Sequence, residues 1–583
     1  MHIPSRNLEK FVREVADQCM ISQGDRSTRY EYFRNYYLYG GEDANNSSIY
    51  NKTFATVDDL VSLLFSPVHL RFLIDNPDVP NLLEQAKGRA ASSKLRNMAR
   101  QSDTDSRVSE CVEWGLVKGK TFLKQTWKRS FSPEVIQPDV FGVLRENHDK
   151  LDQDMEAFTH SMLITPYQFE RLIFNHPDKE ALRKKAKKYA SESRLARGGT
   201  MQVTTGGLYP FQPAGSTTPT VTRGLVDWMS APSPMVSPRL EGQLLQLDEV
   251  WIWDDKRNDW ATFQIVGDDI LIMGKYRIFN ALNHDPVSMR PFEDLIGHHP
   301  FVEFCPNPVD GYFWGRSEII NIALLQEAIN SRINGINKLL RKQEEPPKRF
   351  IGSSGVNQVA LSRFNKPGGY WTDSNPNAKV DEMIPTIPSD LWASLHEYER
   401  MFDEMCGLPP IMKGRGEAGV RSAGHASNLL RMASPRFKDR ALLVERSVEG
   451  LGGLMLNLAK AHEPTRLTAW VDKQAAGLEA AKENPLILSP APGQAAVNFT
   501  FADLDDAMTL RVDAHSSSPA FADEAKADLY DRFKTGAVDA KGIIDHSDVT
   551  DPESAIASVE RKEIAEAQAH EQELKAKQNR SHH

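Results

Sequence analysis

The chain has 583 residues, of which 40% are hydrophobic and 26% charged, and its formal net charge is −9. This composition is that of an ordinary folded protein, and the acidic balance argues against a general nucleic-acid binder, which is normally basic. The four cysteines are widely spaced, which predicts reduced thiols rather than a zinc site or disulfides, and no apolar run is long enough for a membrane-spanning helix.

The first third of the chain predicts mainly helices. Amphipathic or aromatic-rich patterns cover residues 6–20 and 29–38, another helix is predicted to start at Thr56 as its cap, and a longer one covers residues 97–128. Residues 134–144 look extended, and a helix is predicted from Pro166 to Asn175. The cations of residues 183–188 lie on the next helix. A solvated face is the ordinary interpretation of such a run, with contact to a nucleic acid or an anionic partner as the alternative.

Strand signals follow a long segment without apolar periodicity. Residues 196–245 are rich in Gly, Ser, Thr and Pro, which predicts a long loop. Two alternating segments, 247–253 and 260–266, flank an Asp/Asn turn and predict a β-hairpin within about residues 247–273. Trp251, Trp253 and Trp260 are then expected in the hairpin core or a subunit interface rather than in a base-stacking platform.

A long helix is predicted over residues 315–342, where apolar residues recur in steps of three and four and form a coiled-coil-like seam. The seam consists of Ile322, Leu325, Ile329, Ile333, Ile336 and Leu340. Amides are unusually frequent on the remaining surface, at Gln326, Asn330, Asn334 and Asn337. Pro346 and Pro347 end this helix, because proline cannot continue a helix interior.

A small β insert and a second helix come next. Segments 349–352, 368–371 and 380–384 predict three short strands with turns between them. The second helix is predicted from Asp390, an N-cap residue, to Cys406, with Gly407 at its C-terminal end. The chain therefore leaves along one helix, builds a small β element and returns along another.

A glycine-rich loop and a very long helix complete the central segment. The loop, residues 408–424, has few apolar anchors and carries cationic side chains at its centre and end: Lys413, Arg415, Arg421 and, just beyond, His425. The helix is predicted over residues 423–461, and Pro435 inside it predicts a kink near Arg431. Strands at about 467–471 and 509–512, short helices after about residue 520 and a charged tail follow.

Catalytic motifs are not apparent in the sequence. Residues 414–419 have the spelling GxGxxG, but they follow a helix and Pro-Pro, so the strand–helix context of a dinucleotide site is missing. No P-loop and no GxSxG elbow occur. The carboxylate clusters at 254–255 and 503–506 and the pair His298–His299 lack metal-ligand spacing. The sequence therefore predicts no catalytic, cofactor or metal site, and a structural part rather than an enzyme.

Taken in order, these elements resemble the bacteriophage portal protein family over roughly residues 25–550. Each short string that carries the resemblance is unspecific alone, and the order and spacing of the strings are what make it specific. The strings are Tyr-Tyr-Leu-Tyr-Gly at 36–40, Tyr-Asn-Lys-Thr-Phe at 50–54, Trp-Gly-Leu-Val-Lys-Gly at 114–119, Pro-Phe-Val-Glu-Phe at 300–304, Tyr-Phe-Trp-Gly-Arg-Ser at 312–317, Leu-Gln-Glu-Ala-Ile-Asn at 325–330, Gly-Leu-Pro-Pro at 407–410, Ser-Ala-Gly-His-Ala at 422–426 and Lys-Thr-Gly-Ala-Val at 534–538.

The resemblance implies an α+β ring protomer with a defined layout. Residues 1–314 would be a mainly helical wing, 315–343 and 389–407 the two stem helices, and 344–388 a small β-containing clip with Phe350, Tyr370 and Trp371. Residues 408–424 would be a tunnel loop, so that Lys413, Arg415, Arg421 and His425 would face DNA. Residues 425–518 would be a long kinked wing helix with strands, and 519–583 a short helical crown and tail. The amide-rich face of the first stem helix would be wetted on the channel side.

The resemblance also implies a function. Portals are rings, usually dodecameric, at one capsid vertex of the virion, and they assemble in the host cytoplasm. They form the channel for packaging and ejecting double-stranded DNA, and they bind terminase, head–tail adaptor or tail proteins, major capsid protein and scaffold, with no cofactor and no membrane. The alternatives are a nucleotide-binding enzyme using residues 414–419, or a virion adaptor or scaffold without a channel.

Overall fold

The structure is a computed structural model, and it describes residues 3–4, 7–41, 50–65, 72–75, 82–173, 179–189, 245–256, 258–267, 270–271, 299–344, 346, 348–351, 375–407, 435–472, 494–505, 508–512 and 533–534. The described α-helices are α1 (Leu8–Cys19), α2 (Gln23–Tyr39), α3 (Lys52–Leu64), α4 (Leu82–Gln101), α5 (Thr104–Lys118), α6 (Pro166–Leu172), α7 (Lys179–Tyr189), α8 (Ile319–Glu344), α9 (Ser389–Cys406) and α10 (Pro435–His462). The described strands are β1 (Phe72–Asp75), β2 (Thr121–Trp127), β3 (Phe131–Ile136), β4 (Phe141–Val143), β5 (Ala157–Ile164), β6 (Leu245–Asp254), β7 (Asp259–Val266), β8 (Ile270–Leu271), β9 (Phe301–Phe304), β10 (Lys348–Ile351), β11 (Lys379–Glu382), β12 (Leu467–Asp472), β13 (Gln494–Phe499) and β14 (Thr509–Val512).

The chain combines helices and antiparallel sheets, as an α+β protein does. A five-stranded sheet has the order β4-β5-β6-β7-β8, and a three-stranded sheet has the order β3-β2-β9. Strands β6 and β7 form a hairpin where the alternating pattern predicts one, with Trp253 opposite Trp260. One face of the larger sheet packs on the smaller sheet, where the Phe122 and Phe141 rings stack with centroids 4.0 Å apart.

A buried charged cluster lies between these two sheets. The Lys124 ammonium on β2 is 2.6 Å from the Glu249 carboxylate on β6, and both side chains are essentially inaccessible to solvent. The Trp251 indole N–H donates to the other Glu249 oxygen at 2.9 Å. His160 on β5 is fully buried, and this burial together with the nearby Lys124 charge lowers the pKa of its imidazole well below the ordinary value.

The predicted helix over residues 97–128 is wrong. The structure instead has two helices, α4 and α5, and the strand β2. Gly119 ends α5 with φ of 99°, and an added Cβ there would come within 2.7 Å of the Trp314 carbonyl oxygen. Strand β2 is buried along its whole length, so its apolar residues do not alternate with polar ones and their spacing imitates a helix.

The start of α3 also differs from the prediction. Thr56 was expected as its cap, but α3 begins at Lys52, and the Asn51 side chain accepts a hydrogen bond from the Phe54 amide at 3.0 Å. Asn51 is as good an N-cap as threonine, and it precedes the apolar stripe by one more turn. The earlier start of α3 places residues 50–53 in contact with α8 and α9.

The C-terminal helix α10 packs on both β2 and β9 and on the β1–β14 pair, and it joins the same hydrophobic core as α2, α3, α5 and α8. Strands β12 and β14 form over the predicted segments and pair with β13 and β1 respectively. The predicted kink near Arg431 and almost all of the predicted crown lie outside the described residues. None of the helices that the structure describes is long and apolar enough to cross a membrane.

Candidate functional site

Helices α8 and α9 form an antiparallel pair, with the antiparallel strands β10 and β11 between them at one end. We call this unit, the described residues of 319–406, the arm. Arg332 on α8 lies 5.8 Å from the Tyr398 ring on α9, and the Gln343 side chain donates to the Pro385 carbonyl at 2.8 Å. Strand β10 pairs antiparallel with β11. A helix with the 26 residues of α8 is about 39 Å long.

The predicted seam of α8 is largely inside the protein. Ile322, Ile329 and Ile336 are buried, and Leu325 and Ile333 pack partly buried against the core. Leu340 is 38% exposed, so the buried seam ends at Ile336 and does not extend to Leu340. Helix α9 contributes its own buried side chains, which are Leu395, Phe402 and Cys406.

Gln326 anchors the root of the arm to the start of α3. Its side chain is fully buried, and its oxygen accepts hydrogen bonds at 3.1 Å from the Lys52 amide, the Thr53 amide and the Thr53 hydroxyl. Its amide nitrogen donates to the Tyr50 carbonyl at 2.6 Å and to the Asn330 side chain at 3.0 Å. A single side chain on α8 therefore satisfies several polar groups of residues 50–53.

Further polar contacts fix the same root. Asn330 donates to the Gly40 carbonyl at 2.8 Å, and the Tyr36 hydroxyl donates to the Glu327 carboxylate. The Lys52 ammonium is 2.9 Å from the Asp403 carboxylate on α9. The expectation that the amides of α8 are wetted is therefore wrong for Gln326 and Asn330, because both bind backbone groups of the α2–α3 region. Asn334 and Asn337 are half-buried.

The other end of the arm has almost no interior. Among the residues that the structure describes, no side chain between Asn337 and Ser394 is buried. Phe350 lies on β10 opposite Val380 and is partly buried. Tyr370 and Trp371, the other predicted clip residues, lie outside the described residues, as does the predicted middle strand of the insert. The distal half of the arm therefore has little hydrophobic core of its own.

Exposed apolar side chains are concentrated on the arm. Of the seventeen large hydrophobic side chains exposed in the described parts of the chain, nine lie on it: Ile320, Leu324, Leu340, Ile351, Met383, Ile384, Trp392, Met401 and Met405. Leu324 is 73% exposed. Ile320 and Leu324 are one turn apart on the side of α8 opposite Ile322 and Ile329. Sequence reasoning missed this second apolar stripe, although the four-residue spacing of Ile320 and Leu324 was visible.

The two helices of the arm carry opposite charge. Helix α8 has four Lys/Arg and two Glu residues, a net of +2, and α9 has one Arg and five Asp/Glu residues, a net of −4. On the exposed face of α9, Arg400 donates to Glu397 at 2.5 and 3.0 Å and also to Glu404. The hydrogen bonds from Arg400 lower the pKa of Glu397 below its ordinary value. The arm is thus amphipathic and also polarised in charge.

The predicted DNA-facing residues cannot be placed. Lys413, Arg415, Arg421 and His425 lie outside the described residues, as does the GxGxxG string at 414–419. Among the described residues, His148, Asp152 and Asp154 bring metal-ligand atoms within 4.8 Å of one another. Asp152 already accepts from the Asp154 amide at 2.9 Å and contacts the His148 ring at 2.7 Å, as a turn cap does. This group therefore forms a polar turn.

No protein-family model matches the chain, and no curated protein matches its sequence. Function must therefore be inferred from the arm and from the residues that surround it.

Proposed function

We propose that this chain is the protomer of a bacteriophage portal, a ring at one capsid vertex through which double-stranded DNA is packaged and ejected. The observation that carries the proposal is the arm: a helix pair with the strand pair β10–β11 at one end, whose outer sides expose apolar residues. The same order of helix, β insert and returning helix carries the resemblance in the sequence. We propose that the helix pair is the stem and the strand pair part of the clip.

The exposed apolar residues of the arm favour an assembly. Soluble monomers rarely leave contiguous apolar surface in water, and an isolated two-helix unit has little stability without tertiary packing. The distal half of the arm has no buried side chain among its described residues, yet it exposes Trp392, Met383 and Ile384. Packing against the arms of neighbouring copies would bury these residues.

The charges favour a head-to-tail arrangement of copies. In a ring, each copy presents one surface to the preceding copy and a different surface to the next. The basic α8 of one arm and the acidic α9 of another are two such different surfaces, and Leu324 on α8 and Met401 on α9 supply apolar contacts. Like charges would instead meet if α9 of one copy packed on α9 of another copy.

The sign of the net charge favours DNA conduction. With a net charge of −9 per copy, a ring of such chains would repel the phosphate backbone, so duplex DNA would pass without adhering. In this proposal the cations of residues 408–425 contact phosphates transiently and without reading bases. The end of the arm that carries β10 and β11 would bind the terminase motor and later the adaptor or tail proteins.

The test compares ring formation after aspartate substitution at two exposed residues. Negative-stain images and particle masses of the wild-type protein, assembled with scaffold if required, should show rings of about a dozen copies with a central channel. Leu324→Asp places a charge in the proposed contact and should give particles of monomer mass with an unchanged circular dichroism spectrum. Ile21→Asp is the matched control, because Ile21 is 85% exposed and lies outside the arm, and it should still form rings.

Two results would contradict the proposal. One is a wild-type protein that never forms closed rings under any of these conditions. The other is Leu324→Asp assembling as the wild type does, which would show that the exposed apolar side of α8 is not a contact between copies.

A further inference from the structure

Helices α6 and α7 carry a concentration of positive charge in an otherwise acidic chain. Together they have seven Lys and Arg residues and two Glu residues, a net of +5 in a protein whose total is −9. Arg171, Lys179, Lys184 and Lys185 are exposed. These two helices are remote in sequence from the arm, and the proposed stem and clip do not include them.

The two helices are held firmly, with their cations outward. Leu182 and Ala186 of α7 and Phe169 of α6 are buried together with residues of β6 and β8. Arg183 links the helices by donating to the Glu170 carboxylate at 2.5, 2.6 and 2.7 Å. The cationic surface is therefore positioned before any partner arrives, and it loses little conformational freedom on binding.

Helix stability accounts for only part of this charge. Arg183 is paired with Glu170, Glu180 lies four residues before Lys184, and Lys187 and Lys188 lie in the last turn of α7, where cations stabilise a helix. Lys184 and Lys188 are also four residues apart, and like charges at that spacing destabilise a helix. An anionic partner would remove this repulsion.

The chemistry of the surface favours one class of anion. The apolar side of α7 is buried in the protein, so the helix cannot insert it into a lipid surface. Tyr167 on α6 is 74% exposed near Arg171, and exposed tyrosine beside arginine and lysine is a combination that binds phosphates and stacks on bases. We infer that the α6–α7 surface binds the phosphate backbone of a nucleic acid without reading its sequence. This inference does not depend on ring formation.

The test is fluorescence anisotropy of the full-length protein with labelled DNA of arbitrary sequence, duplex and single-stranded, over a series of KCl concentrations. The variant Arg171→Glu/Lys184→Glu reverses one exposed charge on each helix and should weaken binding of both probes about tenfold or more. Each neutralised phosphate contributes about 0.9 to the slope of log affinity against log salt for duplex DNA and about 0.7 for single strands, so the slope should fall by about 1.8 for the duplex and about 1.4 for the single strand. Tyr167→Ala should weaken binding without changing this slope, because tyrosine is uncharged.

The control variant Lys10→Glu/Lys128→Glu makes the same change in net charge at two exposed lysines outside α6 and α7. It should change the affinity less than about twofold, because long-range charge effects are screened within about a Debye length. A preferential loss of single-stranded binding in Tyr167→Ala supports stacking on bases, and an equal loss for both probes supports hydrogen bonding to phosphate. No measurable DNA binding by the wild type, equal losses in the two double variants, or displacement of DNA by polyglutamate at equal charge would each overturn the inference.

Discussion

Replacing Gln326 by leucine tests whether one buried amide holds the arm to the start of α3. Leucine has a similar volume, so the substitution removes hydrogen bonds without opening a large cavity. The amides of Lys52 and Thr53 and the carbonyl of Tyr50 then lose the partner that they have in the native protein. Asn51 still caps Phe54, so α3 loses part of its N-terminal support and not all of it.

The expected loss of local stability in Gln326→Leu follows from the number and burial of those contacts. A buried donor left without its partner costs about 1–3 kcal/mol, and Thr53 is fully inaccessible whereas Lys52 and Tyr50 are partly solvated. We therefore expect a local destabilisation of about 3 kcal/mol. Since about 1.4 kcal/mol corresponds to a factor of ten, the opening that exposes these amides becomes about a hundredfold more frequent.

The frequency of this opening can be measured by amide hydrogen exchange, followed by mass spectrometry on peptides covering residues 50–64. Gln326→Leu should exchange about a hundredfold faster there than the wild type. Gln343→Leu on the same helix is the matched control, because the Gln343 side chain donates to the Pro385 carbonyl at the other end of the arm, and the substitution should leave these peptides unchanged. Wild-type exchange in Gln326→Leu, or equal acceleration in both variants, would refute the reasoning.

Three further predictions concern the core, the seam and the loop. The pKa of His160 is lowered well below its ordinary value of 6.5 by burial and by Lys124, so as pH falls below that value the unfolded chain gains a proton that the folded chain does not. Between about pH 7 and pH 5 the wild type should therefore lose unfolding free energy that His160→Gln retains, by at most about 2 kcal/mol, which is the limit set by protonation of the unfolded imidazole alone, measured by urea unfolding. Ile329→Asp should lower the free energy of unfolding by more than about 4 kcal/mol, seen as a large fall in melting temperature, because it buries a carboxylate. Arg415→Ala/Arg421→Ala should form rings that package or retain less DNA.

Each of these three predictions would be contradicted by a different result. A His160→Gln variant that loses stability with acid as steeply as the wild type would show that another group titrates. Ile329→Asp should be compared with Ile21→Asp, which adds the same charge at an exposed position outside the arm, and equal melting temperatures would show that the Ile329 side of α8 is solvated. Normal packaging by the double arginine variant would show that these two cations do not contact DNA.

Local patterns predicted those elements whose ends or turns are marked in the sequence. Helix α9 runs from Ser389 to Cys406, within one residue of the expected bounds, because Gly407 ends a clear apolar stripe. The predicted cap at Asp390 is wrong, because the N-cap position is Pro388 and Asp390 lies in the first turn. The β6–β7 hairpin is buried on both faces, and the polar turn between its two strands is what predicted it. Strand β2 was mistaken for helix because it is buried on both faces, so periodicity carried no information there and only Gly119 signalled the boundary.

The amides of α8 show why the site was harder to predict than the helix. A polar side chain opposite or beside an apolar seam satisfies its hydrogen bonds either with water or with backbone groups of a segment distant in sequence, and helical periodicity does not distinguish the two. Gln326 and Asn330 bind the backbone of residues 40–53, which lie more than two hundred positions away. Conversely, Ile320 and Leu324 are apolar and exposed. On α8, therefore, residue polarity alone does not separate the attached side from the exposed side, because Gln326 lies buried beside the apolar seam whereas Ile320 and Leu324 face outward.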